Sequence, residues 1–200
     1  MARVSLVDPT EANDEIVREF ADRVSRSDGA FPAHFAAEAH FPAVMNHVYE
    51  ARLAIARDGD LGPLLFSKLA VAVSMANECT YCTGAYATQL SARLGSDEAA
   101  REFQLALAEG ELDDGEAAVI DAALALLAAP ASLTDEDFDR LRAELDFSDR
   151  TFVELVYVVN VVSGYNRLTM AFDLPYDHAY PEEWADPASL PRPVGGDRRA

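Results

Sequence analysis

Lysine is almost missing from this 200-residue chain: Lys68 stands alone, and the sixteen basic residues, otherwise all arginine, face 35 acidic ones for a net charge of −19. A field of that sign repels phosphate backbones and anionic lipid surfaces, so neither nucleic acid nor a membrane is expected as a partner. Carboxylates with so few cations between them suit a high-salt cytoplasm, where ions screen the self-repulsion; an incidentally acidic surface is the plainer alternative. Long apolar runs are lacking too. The longest, residues 64–76 and 152–164, fall short of the roughly 18–20 residues that a bilayer span needs. The first nine residues carry one arginine and no apolar run of signal-peptide length, so a cytoplasmic location is expected. Two cysteines are poor material for a structural disulfide framework. No strand-like alternation persists beyond about four residues and no long-period repeat stands out.

What remains is helical periodicity, in a chain long enough for one domain with a sizeable core. Asp8 and Pro9 read as N-cap and first position of a helix carrying Ile16, Phe20 and Val24 inward until Ser27-Asp28-Gly29, so residues 1–30 form an amphipathic arm. Proline and glycine signals then predict helices over Ala33–Ala39 and Pro42–Arg57, and an apolar one from Leu64 that leads into Cys79. Further helices are expected from Cys79 to Gly95, from Ser96 to Gly110 and from Asp113 or Asp114 to Ala129. A capping box at Thr134-Asp135-Glu136-Asp137 opens a short one ending near Leu145, and Ser148 caps the last, Asp149–Phe172. The expected fold is all-α, a helical bundle in a single domain over residues 1–174. Residues 175–200 read as an extended tail, pinned by its aromatic rings up to Trp184 and partly disordered beyond Asp186.

The chemistry-bearing feature is Cys79-Thr80-Tyr81-Cys82. Two thiols this close at a helix start can close into a disulfide, and the unpaired N–H groups there favour a thiolate. Zinc is a rival reading, with two of His34, His40, His47 and His178 completing four ligands, although a second Cys-x-x-Cys and a His-x3-His pair are both missing. Two inert buried thiols are the bland one.

The run from Leu69 through Cys79-Thr80-Tyr81-Cys82 to Ala87 resembles the core of the alkylhydroperoxidase D and carboxymuconolactone decarboxylase family. The stretch from Phe147 to Gly164-Tyr165-Asn166-Arg167 is similar to the last helix of its peroxidase-related branch. The resemblance implies a homo-oligomer without cofactor or metal, whose cysteines cycle between dithiol and disulfide against a peroxide or disulfide substrate and an external thiol reductant. It makes Cys82 the attacking thiol and Cys79 the resolving one. It also implies a proton relay whose Glu position, twelve residues before Cys79, is Ser67 here, and whose His position, four residues after Cys82, is Tyr86.

Ser67 cannot replace a carboxylate base, and a phenol with a pKa of about 10 is a poor base at neutral pH, though Tyr86 can still donate a hydrogen bond from the face of Cys82. Glu78 places a negative charge beside Cys79 and should raise that thiol's pKa. A base could instead come from His34, His40 or His47. Asn166 and Arg167 read as a packing pair, with an anion-holding arginine as the alternative. A non-catalytic oligomer of the same fold and a lactone decarboxylase are the competing functions.

Overall fold

The structure, a computed structural model, describes residues 2–28, 31–191 and 194. Among these, no strand occurs, and the helices are α1 Glu15–Asp28, α2 Ala33–Glu38, α3 Pro42–Asp58, α4 Gly62–Ala76, α5 Thr80–Leu94, α6 Asp97–Glu109, α7 Asp114–Ala128, α8 Asp135–Leu145, α9 Asp149–Phe172 and α10 Glu182–Ala185. Short 3-10 turns occupy Pro130–Ser132 and Pro187–Ser189. The all-α expectation holds.

Helix α4 is the axle of the molecule. Apart from half-buried Lys68, every residue from Phe66 to Met75 is buried, as its all-round apolar sequence requires. It packs against α3, α5, α7 and α9. From α9, Glu154 accepts hydrogen bonds from the backbone N–H groups of Asp60 (2.7 Å) and Leu61 (3.3 Å), satisfying donors at the start of α4. Lys68 pairs with Glu116 and so ties α4 to α7.

A second, smaller core joins the first three helices: Val17, Phe20 and Val24 of α1, Phe35 of α2, and Met45 and Tyr49 of α3. Helix α2 is wedged between the two cores, giving Ala33 and Ala37 to the larger and Phe35 to the smaller. Its polar residues His34 and Glu38 are thereby carried into the interior.

Several elements depart from expectation. Helix α1 begins six residues after Pro9, because the Asp8 carboxylate turns back to take the N–H (2.8 Å) and hydroxyl (2.7 Å) of Thr10. Asp14 caps instead, accepting from Ile16 N at 2.8 Å. The buried stripe is accordingly Val17, Phe20 and Val24, and Ile16 is 42% exposed. Gly29, expected to end this helix, lies outside the described residues. The tail is not simply extended. It carries α10, and Tyr180, 1% exposed, gives its hydroxyl to Gln104 Oε1 (2.9 Å) and its N–H to Thr88 Oγ1 (3.2 Å). Arg101 donates to the carbonyls of Trp184 (3.0 Å) and, beyond Asp186, of Ser189 (3.1 Å), so the chain is still held there. The rest of the segment expected to be disordered falls largely outside the described residues. Among the described residues no helix is long and apolar enough to cross a membrane.

Candidate active site

The turn from α4 to α5 aims the cysteine pair inward. Glu78 takes a left-handed conformation (φ 58°), and Cys79 N–H bonds back to the Ser74 carbonyl at 3.0 Å, so the chain reverses just before the first thiol. Glu78 itself is exposed. Cys79 becomes the N-cap of α5, its sulfur accepting from the Cys82 N–H at 3.3 Å. Both cysteines are reduced and buried, 0% and 3% exposed.

Helix α9 supplies the floor. Thr169 Oγ1 lies 3.2 Å from Cys79 Sγ and 3.3 Å from Cys82 Sγ, so both sulfurs meet over one hydroxyl. Asn166, fully buried one turn earlier, donates to Ser74 Oγ (3.0 Å) and accepts from Asn77 (2.7 Å), locking α9 to the end of α4. Arg167 points to solvent. The packing reading of this pair thus fits Asn166 alone.

The two thiols are driven apart electrostatically. The Cys82 thiol, together with Thr169, the Cys82 N–H and Asn166, donates to Cys79 and lowers it to about 7 against the opposing effect of burial. Burial pushes Cys82 well up, and the charge on Cys79 adds to that. One sulfur is a thiolate near neutrality and its neighbour holds a proton. The effect expected of Glu78, a raised Cys79 thiol, is not found; the donors around the sulfur dominate.

The other sequence candidates scatter. Ser67 is fully buried in α4, and its hydroxyl bonds to the Pro63 carbonyl of its own helix at 3.1 Å. Tyr86 is buried on α5; desolvation raises its phenol, Arg52 opposes that, and the charges of Cys82, Cys79 and Glu38 add to it. His40 bonds to Ser5 (2.8 Å to the carbonyl) and His47 is exposed. Of the three candidate bases, His34 is the one that faces α5, with Nδ1 3.2 Å from Tyr81 Oη, and its ring lies 5.5 Å from that of Tyr165 on α9. Burial lowers it well below the usual imidazole range, so it is neutral. Among the described residues no group of three or more His, Cys, Asp or Glu could hold a metal ion.

Residues far from the cysteine motif in sequence complete the surroundings. The tail folds over the start of α5: Asp177 accepts from Ala33 N–H at the head of α2 (2.6 Å), and the His178 ring stands 4.4 Å from that of Tyr81. Gly84 makes room for this, since a Cβ there would collide with the Tyr176 ring. Glu38, which no motif marked, is another. Burial raises its carboxyl to about 7, with Arg52 opposing, and its Oε2 is buried without a hydrogen-bond partner.

Residues 41–129 match the model of the carboxymuconolactone decarboxylase family. No curated protein matches the sequence. Among solved structures, the chain is similar to an alkylhydroperoxidase AhpD core, an uncharacterised peroxidase-related protein from Ralstonia eutropha JMP134 (22% identity, TM-score 0.80, 90% of this chain and 94% of that one). A peroxidase-related protein from Silicibacter sp. TM1040 is similar as well (20% identity, TM-score 0.78, 90% and 93%). So is the debrominase Bmp8 in complex with 2,3,4-tribromopyrrole (19% identity, TM-score 0.71, 92% and 97%). The chain thus resembles the carboxymuconolactone decarboxylase family over residues 41–129 and shares its helical fold with these peroxidase-related structures.

Proposed function

We propose that this protein is a thiol–disulfide oxidoreductase that reduces peroxides through Cys79 and Cys82. The carrying observation is that both sulfurs rest on the single hydroxyl of Thr169 while Cys79 alone is held as the thiolate at the head of α5. This favours Cys79 as the attacking sulfur and Cys82 as the resolving one, the reverse of the order that the family pattern implies. The Cys79 thiolate attacks a peroxide oxygen, the O–O bond breaks, and a sulfenic acid forms on Cys79. Cys82 then attacks that sulfur, water leaves, and the disulfide closes. An external thiol must return it to the dithiol state. With both sulfurs enclosed, small oxidants such as hydrogen peroxide are favoured over bulky hydroperoxides; halogenated aromatics merit a place in the assay because of the debrominase likeness.

The test is stoichiometric oxidation of the reduced protein by hydrogen peroxide, followed by mass spectrometry. Wild type should lose two hydrogens, Cys82→Ser should leave a dimedone-reactive sulfenic acid on Cys79, and Cys79→Ser should react slowly. Two cysteines that stay alkylatable after oxidant would mean inert buried thiols and a non-catalytic protein. A homo-oligomer is also proposed, supported by Val153, Val156 and Tyr157 on α9, which are 56%, 39% and 57% exposed.

A further inference from the structure

Residues 174–180 run as a strap along the dithiol site. Their side chains alternate: Leu174 and Tyr180 are buried and Tyr176 and His178 half-buried, whereas Pro175, Asp177 and Ala179 are exposed, the period-two pattern of an extended segment lying on a surface. The strap starts on the carbonyl of Thr169, the residue whose hydroxyl meets both sulfurs, through the Leu174 N–H at 3.1 Å. It passes the head of α2, where Asp177 takes the Ala33 N–H, and reaches Tyr81, between the two cysteines in the chain, with the His178 ring. Tyr180 anchors its far end on Thr88 of α5 and Gln104 of α6.

Between these ends the strap is loosely held. Among the described residues, 175–180 make no backbone–backbone hydrogen bond. A polar tie from the middle to the rest of the fold is the Asp177 carboxylate on Ala33 N–H. His178 adds ring contacts with Tyr81 and, at 5.3 Å, Tyr176, but its Nε2 is buried without a hydrogen-bond partner, 3.5 Å from Asp177 Oδ1. An unpaired buried nitrogen counts against the closed strap, and a segment with few backbone bonds opens locally before the helices around it do. The chemistry calls for such an opening. Both cysteines are enclosed, yet reduction of the disulfide requires an external thiolate to bond to one sulfur as the other leaves with the electron pair.

We propose that this strap is the size filter of the dithiol site, with Asp177 and His178 as its specificity-determining residues. Closed, it admits reagents the size of hydrogen peroxide. Released from α2, it admits bulky hydroperoxides and the thiol of the reductant. The proposal rests on the peroxidase reading and names what limits its substrates.

The test is the alkylation rate of the reduced protein with N-methylmaleimide and N-pyrenylmaleimide, which share a reacting group and differ in bulk. Asp177→Ala removes a hydrogen bond to a charged group and should raise the pyrenyl rate about tenfold or more, with the methyl rate within about twofold of wild type. His178→Ala, which strips the cover from Tyr81, should also raise the pyrenyl rate alone. Asp177→Asn keeps an acceptor for Ala33 N–H and should behave as wild type. Equal rises with both maleimides, as a changed thiolate fraction would give, or no rise with either, overturn the proposal. Should Asp177→Ala not fold, His178→Ala decides on the same two rates. Hydrogen peroxide and cumene hydroperoxide, used next, should show the same split in Asp177→Ala. A wild type that hydrogen peroxide leaves reduced overturns the peroxidase reading, while the maleimide ratios still decide the filter.

Discussion

Thr169 shows how much one hydroxyl controls. It touches both sulfurs and has the carbonyl of Tyr165 at 3.0 Å, so it is positioned whether or not a thiolate forms. Replacing it by valine keeps the shape and removes a donor, so the Cys79 thiol should move up from about 7, visible as an alkaline shift in its alkylation profile; Thr169→Ser should not move it. Glu38 gives a stability prediction of its own. Its carboxyl is raised from 4.5 to about 7 on folding, so between those values the folded state binds more protons than the unfolded one. Stability from this group is therefore full below pH 4.5 and is lost as pH rises through about 7, by roughly 3 kcal/mol at 1.36 per unit. Urea unfolding at pH 5 and pH 8 should show the loss in wild type and not in Glu38→Gln. Of these residues, the cysteines were legible because their spacing alone implies proximity. Glu38 was not: it sits in an alanine-rich turn, and its importance comes from α3, α5 and α9 closing around it.

At the scale of elements, what depends on neighbours in the chain was readable and what depends on distant ones was not. The capping box at Thr134 and the Ser148 cap formed as their residues imply, the latter as a full box with Thr151, because cap and partner are three positions apart. The start of α1 was misplaced by an equally local rival, the Asp8 turn onto Thr10. The tail's rings were read as anchors, but its short helix and its partners were not, because they depend on Thr88, Gln104 and Arg101, about eighty residues or more upstream. Gly84 is where this can be tested. Gly84→Ala drives a methyl into the Tyr176 ring and should destabilise the fold by about 1–3 kcal/mol despite alanine's better helix propensity. Adding Tyr176→Ala should recover most of that loss, a positive coupling in a double-mutant cycle.

The molecule as a whole must live with a net charge of −19. Among the described residues its ion pairs are mostly exposed, such as Arg140–Glu144 and Arg142–Asp149, and contribute little each, so repulsion among the carboxylates should dominate at low ionic strength. Thermal midpoints should fall as salt is diluted from molar to tenth-molar; a constant midpoint would make the acidity incidental. The apolar face of α9 adjoins a cleft of about 230 Å³ lined by Leu126, Phe138, Phe152 and Val156. If this face joins two copies, Tyr157→Glu should lower the mass seen by sedimentation without changing the dithiol chemistry.

The hydrogen bond from Ala33 N–H to Asp177 spans 144 residues and ties a helix to a carboxylate made much later in synthesis. During synthesis the earlier helices emerge first, yet α2 lacks this cap, and Tyr81 its cover of His178, until residues 177 and 178 have been translated. A nascent chain therefore carries two thiols without their finished surroundings, and the dithiol site matures only after residues 177 and 178 have been added.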